Sequence, residues 1–218
     1  MTLIAMPARP GVFLDCDTIG ALTPARLAAA MAYVDPSRGP VVGLAGYCPL
    51  PGERPDGTLW TVEALDLVTS LGLQALWIQH PLAAGWLPSE HLGALHEATA
   101  SEYALSVGFP AEMHGEVDVE GCGGPSYGYA LTWASNRVQR GGLCSLYYGW
   151  RLGMTLEQCA ELPNVTSYHR AYNQAPLPGR GPALIQGPTV DIPGFGAADV
   201  NLMIADVRGE LPLVCGAG

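Results

Sequence analysis

The chain has 218 residues, 49% of them hydrophobic and 14% charged, and its twenty Asp and Glu outnumber ten basic residues, all arginine, for a formal charge of -10. This composition suits one folded domain over residues 1–218 with a sizeable core, and it excludes global disorder. It also excludes a phosphate-binding face of clustered Lys and Arg, so no nucleic acid is expected as a partner. A gel-shift titration at physiological salt is accordingly expected to leave duplex DNA unshifted. Salt-sensitive micromolar binding would contradict that and reveal an arginine patch assembled only by the fold.

No window nears eighteen apolar residues, so no membrane insertion is expected. Met1 to Pro10 lacks the charged start and apolar centre of a signal peptide, and nothing in it assigns a compartment. Cys16, Cys48, Cys122, Cys144, Cys159 and Cys215 form no Cys-x-x-Cys pair, which leaves zinc binding unsupported and buried thiols as the expectation.

Short β-like runs alternate with amphipathic helical stretches, the mark of a parallel sheet with crossover helices. Val12 to Asp17 is the first strand. A helix from Pro24 to Tyr33 follows, with Thr23 as N-cap and Pro24 at the first helical position. Val41 to Tyr47 is the second strand. The Pro- and Gly-rich loop Pro49 to Gly57 leads to a helix at Thr61 to Leu71 that Gly72 ends. Leu73 to Gln79 is the third strand, and Ser89 caps a long helix running to Val107.

The fourth strand carries Glu116-Val117-Asp118-Val119-Glu120, and a helix at Tyr127 to Arg140 follows. Leu143 to Tyr148 is the fifth strand, followed by a shorter helix at Leu156 to Leu162 capped by Thr155. Strands six, seven and eight fall at Ser167 to Tyr172, Ala183 to Gln186 and Ala198 to Ile204. The segments after Asn173 and Gly187 hold too much Pro and Gly for helices. The fold expected is therefore α/β, a single (β/α)8 TIM-like barrel, irregular and missing helices in its last third.

Period-two spacing puts Glu116, Asp118 and Glu120 on one strand face and the two valines on the other. Like charges this close resist joint ionisation, so at least one carboxyl is expected to have a raised pKa. A protonated carboxyl beside an ionised one is the working pair of a glycosidase. A barrel gathers the C-terminal ends of its strands at one mouth. Asp15 and Asp17 at strand one, Asp118 and Glu120 at strand four and Asp199 at strand eight would then converge, with His80 ending strand three.

The residues so placed resemble a known family, the glycoside-hydrolase-like barrel domain of bacterial and phage proteins related to the family 25 lysozymes. The resemblance runs through Val12-Phe13-Leu14-Asp15-Cys16-Asp17-Thr18 and Gly46-Tyr47-Cys48-Pro49, where Gly stands in place of the group's Arg. It continues through the helix Gly93 to Tyr103, Gly108-Phe109-Pro110, Asp118-Val119-Glu120, Leu146-Tyr147-Tyr148-Gly149 and Asp199-Val200-Asn201. It implies a hydrolase acting on a cell-wall polysaccharide such as peptidoglycan, or a non-catalytic barrel serving as a structural or carbohydrate-attachment module, for example in a virion or secreted assembly.

By the same resemblance Glu120 matches the general acid, Asp118 its partner, Asp199 the strand-eight acid and Asp17, in preference to Asp15, the strand-one acid. Asp15, Glu116, Tyr47, His80, Tyr147 and Tyr172 are the expected substrate-binding residues, with no metal and no cofactor. The missing Arg at position 46 would leave the acidic mouth unbalanced.

Other features carry less. Trp77, Tyr147, Tyr148, Trp150, Tyr168 and Tyr172 near strand ends suit sugar rings, although packing claims most large aromatics. His80 and His169 hold the best positions, while His91, His96 and His114 read as surface or helix residues. Ser126, Ser145 and Ser167 lack a nucleophile elbow, and Gly121-Cys122-Gly123-Gly124 reads as a flexible loop over the mouth. The proline-rich segments around Pro51 and Pro176 are the candidates for blocking that mouth.

Overall fold

A computed structural model describes residues 2–52, 57–81 and 84–218. The strands are β1 (Leu3–Pro7), β2 (Gly11–Asp15), β3 (Val34–Asp35), β4 (Gly39–Tyr47), β5 (Gln74–Gln79), β6 (His114–Asp118), β7 (Leu143–Tyr148), β8 (Val165–Arg170), β9 (Leu184–Ile192), β10 (Gly196–Met203) and β11 (Leu213–Ala217). The helices are α1 (Pro24–Ala32), α2 (Val62–Ser70), α3 (Glu90–Val107), α4 (Tyr127–Gln139) and α5 (Leu156–Ala160). Thr23, Thr61, Ser89 and Thr155 each accept the N–H three residues on, satisfying a donor that the helix itself leaves free.

The protein is α/β, built on a closed mixed barrel of eight strands. The order is β2, β4, β5, β6, β7, β8, β9, β10 and back to β2. Pairing is parallel from β2 round to β9, but β10 runs antiparallel to both β9 and β2. The expectation of a parallel eighth strand is thus corrected. A crossover helix is what carries a chain back to start a parallel strand. Phe195 N–H bonds to Ile192 O in the tight turn that joins β9 to β10, so the chain turns straight back. As expected, no helix follows β8 or β9 among the described residues.

The expected strands omitted β1 and β11. These two pair with each other, and Cys215 of β11 pairs with Ala75 of β5. The ladder between β5 and β6 is confined to Ile78 opposite Glu116 and Gln79 opposite Val117, so β11 lies beside the lower half of β5. Its first residue is anchored to β6, because Leu213 N–H donates to His114 Nδ1 at 2.9 Å. The other ring nitrogen, Nε2, lies 2.8 Å from Thr166 Oγ1.

His114 is buried on β6, which corrects its reading as a surface or helix position, while His96, also buried, does lie on a helix, α3. Burial pulls the His114 pKa down from 6.5 to about 4. Between those values the unfolded chain takes up a proton that the folded one excludes, so His114 makes stability fall as pH drops from 6.5 towards 4. Wild type is expected to lose on the order of 3 kcal/mol more than His114→Gln across that window, read from urea unfolding at each pH. Equal losses in the two proteins would refute the role.

The apolar core lies between the outer faces of the strands and the helices. Trp60, Trp77, Trp133, Leu65, Val117 and Val119 are fully enclosed there. Gly93 allows α3 to approach α4 closely, since a Cβ there would stand 2.4 Å from Tyr129 O. At the C-terminal ends of the parallel strands the barrel's interior is lined mostly by polar side chains, and these form the site.

Candidate functional site

Each strand of the barrel delivers one or more side chains to a cavity of about 80 Å³ at the C-terminal ends of the parallel strands. Asp15, Tyr47, Ile78, His80, Glu116, Asp118, Glu120, Tyr147, His169, Gln186 and Asp199 line it. Asp199 belongs here because β10 is reversed: its early residues, not its last, reach this end, and Asp199 pairs directly with Asp15. An outer cavity of about 220 Å³ shares Asp15, Tyr47 and Asp199 and adds Asp17, Thr189, Ala197 and Ala198.

Three of the four expected catalytic acids, Asp118, Glu120 and Asp199, therefore meet at the inner cavity, while exposed Asp17 lies on the outer one. Asp15, the less favoured strand-one acid, is the one that reaches inside. Tyr47, His80, Glu116 and Tyr147 line the cavity as well. Tyr172 is 70% exposed and is not part of its lining. Trp77, Tyr148 and Tyr168 are buried in the core, so they offer no face to a sugar. Trp150 is exposed and stacks under the Arg151 guanidinium.

Glu116 sits deeper than its neighbours. It and His169 are each 1% exposed, with Oε1 lying 2.9 Å from His169 Nδ1, and Ser145 Oγ donates to Oε2 at 3.2 Å. It therefore underlies the site instead of standing open at the mouth. Asp118 is fixed from two sides, with Oδ2 at 2.7 Å from His80 Nδ1 and Oδ1 accepting the Glu120 N–H at 2.8 Å. Gln186 donates to Asp199 Oδ2 at 2.7 Å and accepts from Tyr147 OH at 2.8 Å, and Thr189 Oγ1 donates to Asp199 Oδ1.

The Gly121 to Gly124 segment is tied down, contrary to its reading as a flexible loop. Gly121 N–H bonds to Trp150 O, Cys122 N–H to Arg151 O and Gly123 N–H to Trp86 O, while Gly85 N–H reaches Gly121 O. Gly123 fits only without a side chain, because a Cβ would stand 2.3 Å from Gly85 O. The Cys122 thiol is buried and its pKa pushed up to about 12, which removes it as a nucleophile. Trp86 Nε1 also donates to Glu120 O at 3.0 Å, so Glu120 stands on a braced turn. All six cysteines are buried and free.

Electrostatics separate the carboxyls. Burial, and then the charge of Asp118, raise the Glu120 pKa, so the acidic run does contain the raised carboxyl its spacing predicts. Burial and the charges of Asp199 and Glu116 push Asp15 up to about 7, against the opposing pull of His169 and of the Tyr47 hydroxyl, which donates to Oδ2 at 3.3 Å. Burial lowers the affinity of His80 for a proton, but Asp118, Glu120 and Asp15 outweigh it and leave that pKa raised. The missing arginine at position 46 has no bearing on this balance. Gly46 faces outward, where a Cβ would stand 2.7 Å from Ile19.

Among the described residues, the donors that approach one another as a metal ion requires come from His80, Asp118 and Glu120, one atom of each lying within 4.8 Å of the others. A second cavity of about 220 Å³ opens at the opposite end of the barrel beside Leu213. Its acids are Asp206 and Glu210, and Asp206 Oδ1 is already engaged by the N–H groups of Arg208 and Glu210.

His169, singled out from the sequence for its position but given no role, completes the network with Gln186 and Ser145, which were not assigned to the site. The available signal was parity: His169 and Gln186 are polar residues within apolar strand patterns, and an inward polar side chain needs a partner.

Fold and site together define an α/β barrel with an acidic mouth. No protein-family model matches the sequence, and no curated protein matches it. The fold is similar to that in a 1.07 Å crystal structure of an uncharacterized B. stearothermophilus protein, with a TM-score of 0.69 and 14% identity over 88% of this chain and 95% of that one. At that identity the likeness speaks for the fold alone.

Proposed function

We propose that the chain is a glycoside hydrolase acting on a cell-wall polysaccharide such as peptidoglycan, on a (β/α)8 barrel whose last units have lost their helices. The observation that carries this reading is the braced pair at the end of β6, where the Glu120 N–H bonds to Asp118 Oδ1 at 2.8 Å and both side chains line the mouth. Glu120 delivers a proton to the glycosidic oxygen, and Asp118 meets the positive charge that develops on the sugar or orients its N-acetyl group. One oxygen of each lies within 4.8 Å of the other, close enough for both carboxyls to act on one glycosidic bond. Release of soluble sugar from labelled cell-wall fragments by the purified chain is the expected result.

A second reading, a non-catalytic barrel acting as a structural or carbohydrate-attachment module in a larger assembly such as a virion, is favoured by the small inner cavity of about 80 Å³. Binding of wall glycan without turnover would assign it.

A further inference from the structure

Two polar atoms at the inner cavity are buried and have no hydrogen-bond partner among the described residues: Asp15 Oδ1 and His169 Nε2. They come from β2 and β8, separated around the barrel by β9 and β10. In each residue the other polar atom is engaged. Asp15 Oδ2 accepts the Tyr47 hydroxyl, and His169 Nδ1 lies 2.9 Å from Glu116 Oε1. A carboxylate accepts, so this contact puts a proton on Nδ1 and fixes the ring with Nε2 as its free edge. Ser145 holds the second Glu116 oxygen, and the Tyr147 ring stands edge-on to the imidazole at 4.7 Å.

An imidazole 1% exposed and locked on one edge, with its other edge bare, is costly to maintain unless a guest satisfies it. The bare polarity extends along β10: Asn201, two residues from Asp199 and wholly buried, has both amide atoms without a partner among the described residues.

We propose that one hydroxyl of the bound sugar seats between Asp15 Oδ1 and His169 Nε2 at the foot of the cavity, with Glu116 as the positioning residue that turns the imidazole toward it. The proposal rests on the carbohydrate reading above and narrows it. A hydroxyl donates one hydrogen bond and accepts others, so it bridges the two atoms when at least one of them carries a proton, a state that the raised pKa values of Asp15 and His169 favour. An ether oxygen or a methyl group does not. A cavity of about 80 Å³ also takes the end of a sugar and not a whole ring, so the seat selects a chain terminus or a projecting hydroxymethyl group.

The probe is tri-N-acetylchitotriose with the full chain. Soaked crystals are expected to show a sugar oxygen within hydrogen-bonding distance of both atoms. By calorimetry, His169→Phe is expected to weaken binding roughly tenfold or more, and His169→Gln, which restores a polar group, to recover part of it. Glu116→Leu, which removes the acceptor that Gln would keep, is expected to weaken binding and, in ¹⁵N spectra of labelled histidine, to abolish the single fixed tautomer of His169, whereas a role in folding alone would leave that tautomer fixed in the folded variant.

Failure of wild type to bind the trisaccharide at millimolar concentration would overturn the seat. So would unchanged affinity in a folded His169→Phe, or a sugar bound with no oxygen at that position. Tight binding lost in His169→Phe, without turnover of any wall polymer by wild type, would uphold the seat and refute the hydrolase. Wall cleavage undiminished in His169→Phe, with unaltered kcat and KM, would do the reverse.

Discussion

Glu120→Gln is expected to slow hydrolysis of an unactivated glycoside by roughly 10²-fold or more while leaving the fold in place. Gln keeps the size and hydrogen-bonding reach of Glu but has no proton to deliver. The leaving oxygen must then depart unprotonated, and the barrier rises by the acid-catalysis contribution. The backbone of residue 120 is unaffected, because its N–H still bonds to Asp118 and its carbonyl still accepts from Trp86. Asp118→Asn is expected to impair turnover too, since the developing positive charge loses its partner.

The two variants are compared with wild type by initial rates on labelled wall fragments and by thermal melts. Full activity in Glu120→Gln would remove the hydrolase from this site. A variant more stable than wild type with no activity to lose would instead mark the acidic run as electrostatic strain within a binding or structural barrel.

Trp77→Ala is expected to destabilise the protein by about 3–5 kcal/mol, the scale of removing a large aromatic from a packed core. Trp77 is completely buried, its ring centroid lies 6.0 Å from that of Trp133, and the Arg137 guanidinium lies 5.1 Å from its centre. The neighbouring strand is shaped for it, because a Cβ on Gly115 would come within 2.2 Å of the indole. Were Trp77 a sugar platform, truncation would weaken ligand binding and leave stability almost unchanged. The midpoint of urea unfolding separates the two: a shift of less than the equivalent of about 1 kcal/mol would contradict the core assignment.

Period-two and helical patterning, with cap residues at the right offsets, were enough to locate every strand that closes the barrel and the five α-helices among the described residues. Thr23, Ser89 and Thr155 cap where the sequence places them, because a cap depends on a few consecutive residues and not on the rest of the chain. The same local logic put Glu116, Asp118 and Glu120 on one face, and it anticipated that one of them would hold its proton more tightly.

Strand direction and depth were beyond that logic. The residues of β10 read alike in either direction, and only the turn from β9 and the pairing with β2 reverse it, bringing Asp199 beside Asp15. The β1 and β11 strands are short, and they acquire meaning only against β5 and the His114 ring. Whether an acid works at the surface or is sealed beneath it depends on what the other strands contribute. Asp17 is left on the outer cavity, Asp15 is drawn inside, and Glu116 is covered by His169 and Ser145, which lie 53 and 29 residues away in sequence. Sequence alternation fixes a side chain's face, whereas burial and pKa follow from its neighbours across the barrel, and those neighbours exist only once the sheet has closed.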